Sequence, residues 1–166
     1  MNDLVILSLL VKGPKHGYRL KQDAALFSGT QRLHNNTVYP LLKRYQKQGW
    51  ITRKEADGER GQTRLLYSLT AAGRKVLIEK LAGFSEEDAA SSQAFQLRVG
   101  LFGLLGKPER EHILALRDRR LSGRIEILQQ IGDSAEIDEW GATTVRFTTK
   151  QLQLERKWIG QLRTQI

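Results

Sequence analysis

The stretch from Asn35 to Thr70 constrains the fold more than any other part of the chain. It opens on two Asn residues, whose side chains accept the free N–H groups of a helix's first turn, and Pro40 fits only near a helix start. Val38, Leu41, Leu42 and Tyr45 then follow i, i+3, i+4, i+7 and make one apolar stripe. Gly49 ends that helix. Directly behind it, "WITRKE" and "TRLLYSLT" read as two strands, and the joining "ADGERGQ" supplies turn chemistry through Asp57-Gly58 and Gly61. An amphipathic helix that runs at once into a hairpin with a basic tip is a small-domain arrangement. At 166 residues the chain has room for one such domain and an appendage, whereas a barrel or doubly wound sheet would be cramped.

The flanks are helical. Leu4, Ile6, Leu7, Leu10 and Val11 form a dense apolar pattern that Gly13-Pro14 stops, since Pro can neither continue a helix nor donate a hydrogen bond. A second helix is expected from His16 to Phe27, with Tyr18, Leu20, Ala24 and Phe27 as its inner face. Thr70 can cap a fourth helix, "AAGRKVLIEKL", ending at Gly83. "FSEEDAASS" is acidic and small and reads as a hinge, so the expected boundary separates residues 1–83 from 84–166.

Beyond that boundary "QAFQLRVGLFGLL" is too apolar for a solvated helix and should be buried. Pro108 opens a long helix in which Leu114, Leu121 and Leu128 recur every seven residues, with Ile125 between them. In the last segment Trp140, Thr144, Phe147, Gln151, Leu154 and Trp158 alternate spacings of four and three, with Leu162 continuing the stripe. That is a coiled-coil-like seam.

Charge divides the chain at the same place. Residues 1–83 carry fifteen Lys or Arg against six acids, while the remaining twelve basic residues face twelve acids, so the whole excess of +9 sits in the first half. Such asymmetry suits a polyanion-binding half joined to a half with another task. Zero cysteines exclude disulfides and cysteine-ligated zinc, and His16, His34 and His112 are scattered without a metal-ligand spacing, so no metal or cofactor is expected. No Ser has an acid–base partner nearby and no Gly-rich phosphate loop follows a strand, which argues against an enzyme. The longest apolar run is far short of the roughly 20 residues of a membrane span, and the start lacks the marks of a secretory signal, so a cytoplasmic protein is expected.

The order helix, helix, helix, basic hairpin, helix is the outline of a winged helix-turn-helix with a two-stranded wing. A recognition helix needs an apolar stripe to seat it and an opposite face that meets base edges, with long cations reaching phosphates on either side. The third helix offers both: Asn35, Asn36 and Thr37 at its tip, Tyr39 as an amphipathic contact, and Lys43, Arg44 and Lys47 beyond. The hairpin brings Arg53, Lys54, Arg60 and Arg64 to where a wing would straddle the DNA backbone or enter the minor groove.

At these residues the chain resembles the PadR-like family of winged-helix transcriptional regulators. Three stretches carry the resemblance: "ILSLLVKGPKHGYRLKQ", "NNTVYPLLKRYQKQGWI" and "ERGQTRLLYSLTAAGRKVL". The helical second half, above all "QLQLERKWIGQL", is similar less distinctly. The resemblance implies a mainly α protein in which a winged-helix DNA-binding domain, 1–83, precedes an all-helical dimerisation region, 84–166. It further implies a homodimer on a pseudo-palindromic stretch of double-stranded DNA, more often as a repressor, and control by a small molecule near the dimer interface. On that reading Trp140, Phe147, Leu154, Trp158 and Leu162 form the dimer seam, and an aromatic such as Phe102, Trp140 or Trp158 lines a cavity for a flat hydrophobic effector. The chain departs from the family where Asn36 replaces a Gly and Leu65-Leu66 replace Arg-Lys, so the recognition helix should dominate over the wing. The competing readings are a protein-interaction module built on a winged helix and a ligand sensor without operator binding.

Overall fold

The computed structural model describes residues 2–27, 35–57, 63–134 and 136–166; the side chains at 26, 27, 35–37, 56, 57, 63 and 64 fall outside that description. The chain divides into two compact units, Met1–Gly83 and Phe84–Ile166. The fold is mainly helical, a winged helix-turn-helix followed by helices alone.

In the first unit α1 (Asn2–Leu9) is apolar nearly all round, and Leu4, Val5, Ile6, Leu7 and Leu9 are all buried. It stops two residues earlier than its pattern suggests. Leu10 and Val11 form turn bonds to Leu7 and Ser8 instead, and Gly13 reverses the chain at φ 135°, a conformation open to glycine. Lys15–His16 then form a two-residue strand, β1, and α2 (Gly17–Phe27) begins one residue later than expected. On α2 Leu20, Asp23 and Ala24 face inward, whereas Tyr18 is 64% exposed. A spacing of two residues from Leu20 puts Tyr18 on the opposite side of the helix, which corrects its place on the expected inner face.

The third helix, α3, spans Asn35–Lys47 and buries Val38, Leu42 and Tyr45. Pro40 stands inside it, a turn beyond the boundary it was taken to mark. Gly49, at φ 72°, ends α3 in a Schellman motif, with its N–H on Gln46 and that of Trp50 on Tyr45. Trp50 is thereby folded back to stack on Tyr45 at 5.5 Å, and the chain leaves directly into β2 (Ile51–Asp57).

Strands β2 and β3 (Thr63–Leu69) pair antiparallel from Ile51↔Leu69 to Asp57↔Thr63. The outer edge of β3 takes β1, through Lys15↔Tyr67 and His16↔Leu66, so the sheet order is β1-β3-β2. Thr70 caps α4 (Ala71–Ala82) as its sequence predicts, accepting from the Gly73 N–H at 3.0 Å. Gly73 lies so close to the Trp50 carbonyl that a Cβ would stand 2.0 Å from its oxygen.

The second unit begins on a helix where a hinge was expected. Ser85 and Asp88 form a capping box that starts α5 (Glu86–Ala90), while Phe84 and Ala89 are buried. Next come α6 (Ser92–Val99) and a 3-10 turn at Phe102–Leu104; α7 (Lys107–Gly132) and α8 (Glu139–Arg163) then pack along one another. Leu114, Leu121, Ile125 and Leu128 of α7 are buried, as their heptad spacing implies. The buried Arg117 holds the unit together: its guanidinium bonds both Glu155 carboxylate oxygens at 2.8 Å, the Ala89 carbonyl and Ser92 Oγ, linking α5, α6, α7 and α8.

Candidate nucleic-acid interface

The apolar stripe of α3 fixes what its other face presents. With Val38, Leu42 and Tyr45 inward, Tyr39, Lys43 and Lys47 are exposed, and among the described residues Lys43 and Lys47 have no ionic partner. Asn36 stands seven residues before Lys43, two turns back on the same helix; the side chains of Asn35, Asn36 and Thr37 lie outside the described residues.

Arg44 differs from its neighbours. Its Nη2 donates to Asp3 Oδ1 at 2.6 Å and its guanidinium lies 5.2 Å from the Tyr45 ring centroid, so it ties α3 to α1. The Tyr45 hydroxyl donates to the same Asp3 oxygen at 2.6 Å, and Lys80 of α4 reaches Asp3 Oδ2 at 3.2 Å. Burial alone would raise the Asp3 pKa, but the Tyr45 hydroxyl, Lys80 and Arg44 outweigh it and hold the carboxyl below its ordinary value. Burial and the Asp3 charge push the Tyr45 phenol up, so it stays a donor. Among the cations grouped on α3, Arg44 thus has an ionic partner within its own unit. Spacing alone gave no sign of this, because the carboxylate that claims it is 41 residues away.

On the wing, Arg53 and Lys54 of β2 are exposed. Arg53 pairs with Tyr67 in the ladder, and both its charge and the Tyr39 phenol act on the Tyr67 hydroxyl, so Arg53 and Tyr39 converge on one region. The Tyr67 pKa is raised, chiefly by burial. Arg60 lies outside the described residues, as does the side chain of Arg64.

A cavity of about 540 Å³ opens beside this face, walled by residues 16–19 at the start of α2, by Tyr39 of α3 and by Leu65 and Tyr67 of β3. Sequence reasoning passed over Tyr18 and Arg19 here. The available signal was Tyr18's position off the apolar stripe of α2.

The residues assigned to dimerisation and to an effector lie in the second unit. Trp140, Phe147 and Leu154, seven residues apart on α8, are 80%, 62% and 70% exposed, while α8 turns Ile159 and the half-buried Val145 and Leu152 inward. Trp158 is half-buried, held edge-on against Phe95 at 5.7 Å, and Leu162 is half-buried. Trp158 lines a groove of about 730 Å³ with Gln96, Gln151, Leu154 and Gln161. Phe102 is buried. Trp140 and Trp158 are eighteen residues apart on one helix, roughly 27 Å. Within one chain they are therefore separate candidates for an effector contact.

Residues 6–79 match the model of the transcriptional regulator PadR-like family. The comparison with curated proteins returned no match. Among solved structures, a transcriptional regulator from Clostridium thermocellum is 29% identical over 47% of this chain and 76% of that chain, with a TM-score of 0.43. A Thermoplasma acidophilum protein described as a transcriptional regulator is 31% identical over 61% of this chain and 86% of that chain, TM-score 0.43. Bacillus subtilis PadR, solved in complex with operator DNA, is 19% identical over 99% of this chain and 97% of that chain, TM-score 0.49. A winged-helix unit matched over nearly its whole length by a regulator family makes this chain a winged-helix transcriptional regulator. Within that class it belongs to the PadR-like family. Among the described residues no helix is long and apolar enough to cross a membrane, and no cluster of His, Asp and Glu could hold a metal ion.

Proposed function

We propose that the chain binds double-stranded DNA as a homodimer in the cytoplasm, reads a pseudo-palindromic operator with α3, and represses transcription under the control of a small hydrophobic effector. The observation that carries the reading is the sorting of charge on α3: Arg44 is tied to Asp3, while Lys43 and Lys47 stay exposed and unpaired among the described residues beside the exposed Tyr39. Cations left free on the outward face of a seated helix are what phosphate contact requires. The exposed heptad of Trp140, Phe147 and Leu154 supports self-association, because apolar residues every seven positions on a solvent face call for a second helix. A two-fold pair then sets two α3 helices into successive major grooves about 34 Å apart.

The test is selection of bound duplexes from a random pool, followed by footprinting. A two-fold symmetric protected site supports the reading, and uniform binding to all sequences refutes it. In parallel, Leu154→Glu should shift the chain from dimer to monomer in sedimentation; an unchanged dimer would remove α8 from the interface.

A further inference from the structure

Gly17 opens α2, yet its backbone gives no reason for a glycine: among the described glycines only Gly13 and Gly49 have a positive φ. Alanine fits the same backbone and is the better helix former. What glycine supplies here is space. A Cβ at residue 17 would lie 3.1 Å from Cε1 of Tyr39 and 3.2 Å from Cε2 of Tyr67, with the Tyr39 hydroxyl at 3.7 Å. Carbon atoms pack at about 3.5 to 4.0 Å, so both rings rest on the bare backbone of α2. They differ in what they can yield. Tyr67 is buried and held in the sheet between Lys15 of β1 and Arg53 of β2. Tyr39 is 44% exposed and borders an open cavity. A methyl at residue 17 would therefore displace Tyr39 and leave Tyr67 in place.

We propose that Gly17 is a positioning residue for the recognition helix: its missing side chain, with Tyr67 as a fixed backstop, sets the Tyr39 ring so that its hydroxyl meets the duplex. This deepens the DNA-binding reading and rests on it. Tyr39 stands three residues after Asn36 and four before Lys43, at the edge of the exposed face of α3, so the pose of its ring decides where the hydroxyl lies beside them. The hydroxyl is the ring's one hydrogen-bonding group. Retreat to ordinary carbon contact moves the ring by roughly half an ångström. Hydrogen bonds between oxygens span only about 2.5 to 3.0 Å, so a shift of that size takes the hydroxyl off its partner. Gly17 thus acts on the duplex through Tyr39, from a helix that precedes α3.

The experiment measures operator affinity for the full chain as wild type, Gly17→Ala, Tyr39→Leu and the double variant, beside a thermal melt of each. Gly17→Ala should weaken binding about threefold per half-site, within the worth of one neutral hydrogen bond, and about tenfold for a two-fold pair. The salt slope should not change, because no cation is removed. In the Tyr39→Leu background, where the ring is gone, Gly17→Ala should change affinity by less than about twofold. Any loss of melting temperature in Gly17→Ala should be recovered in the double variant, and affinities are compared where all four chains are folded. In the free chain the aromatic NMR signals of Tyr39 should move more in Gly17→Ala than those of Tyr67. Equal weakening in both backgrounds, or a lowered salt slope, overturns the role of Tyr39 and the proposal with it. If the wild type binds its operator and Gly17→Ala binds equally well, the proposal alone falls. If the wild type protects no discrete site, the DNA-binding reading falls first.

Discussion

Replacing Lys43 and Arg44 by Ala, one at a time, separates contact from support on the recognition helix. Each phosphate that a cation neutralises contributes about 0.9 to the slope of log affinity against log salt. Lys43 is exposed and unpaired among the described residues, so Lys43→Ala should lower the slope by about 0.9 per protomer and about 1.8 for a dimer on two half-sites. Over the fourfold rise from roughly 50 to 200 mM salt, that is a change of roughly twelvefold in the ratio of wild-type to variant affinity. Arg44 is already neutralised by Asp3 at 2.6 Å. For Arg44 to contact a phosphate it must leave one anion for another, with no net counterion release, so Arg44→Ala should leave the slope unchanged. Its effect should fall on stability, and modestly, because a half-exposed ion pair is worth up to about 1 kcal/mol. The assay is fluorescence anisotropy of a labelled operator at several salt concentrations, beside a thermal melt of each variant. If Arg44→Ala lowers the slope as much as Lys43→Ala, the division of α3 into reading and supporting cations is wrong.

Gly73→Ala gains roughly 1 kcal/mol of helix propensity but drives a methyl to 2.0 Å from the Trp50 carbonyl oxygen. Backbone shift should outweigh propensity and lower the melting temperature by about 5 to 15 °C, whereas a rise would refute the close approach of α4 to the start of β2. Arg117→Met strands Glu155 and should cost about 3 to 5 kcal/mol in urea unfolding, with Arg117→Met/Glu155→Leu recovering most of it; no recovery would mean that the Ala89 and Ser92 bonds matter more. Asp118 is held below its ordinary value of 3.8: burial alone would raise it, but hydrogen bonds and charge from Arg156 and Arg163 prevail. Because its folded pKa is the lower one, its contribution is complete well above 3.8 and lost as pH falls through the folded value. The urea midpoint should therefore drop below about pH 4, and Asp118→Asn should flatten that part of the profile.

What could be read from the sequence was whatever repeats locally. The heptad of α7, the Thr70 cap, the hairpin and the stripe of α3 each advertise themselves within a stretch of about twenty residues, and all stand in the structure. The misses depend on distant partners. Two residues, Lys15 and His16, carry no period of their own and become a strand only because β3, fifty residues on, has a free edge. Arg44 matches Lys43 and Lys47 in type and spacing, and only the fold brings Asp3 to it. The supposed hinge was misread for a different reason: its acids and serines look like a linker in composition, but Ser85 and Asp88 at a three-residue spacing are a capping box.

Charge in the first unit is sorted as well as accumulated. Two carboxylates do the sorting, and each holds two cations. Asp3 takes Arg44 of α3 and Lys80 of α4; Asp23, nearly buried on α2, takes Lys15 of β1 and Arg19 one turn before it. Both acids therefore spend charge on fastening elements together. Among the described residues of α3 and β2, Lys43, Lys47, Arg53 and Lys54 are left without such a partner. A net excess of +9 would attract any polyanion from any side. Among the described residues, four of the cations left after internal pairing stand on two adjoining elements joined by the Gly49 turn. The stack of Tyr45 on Trp50 fixes the angle between those elements. On the proposed reading, orientation on a duplex follows from where the acids sit as much as from how many basic residues there are.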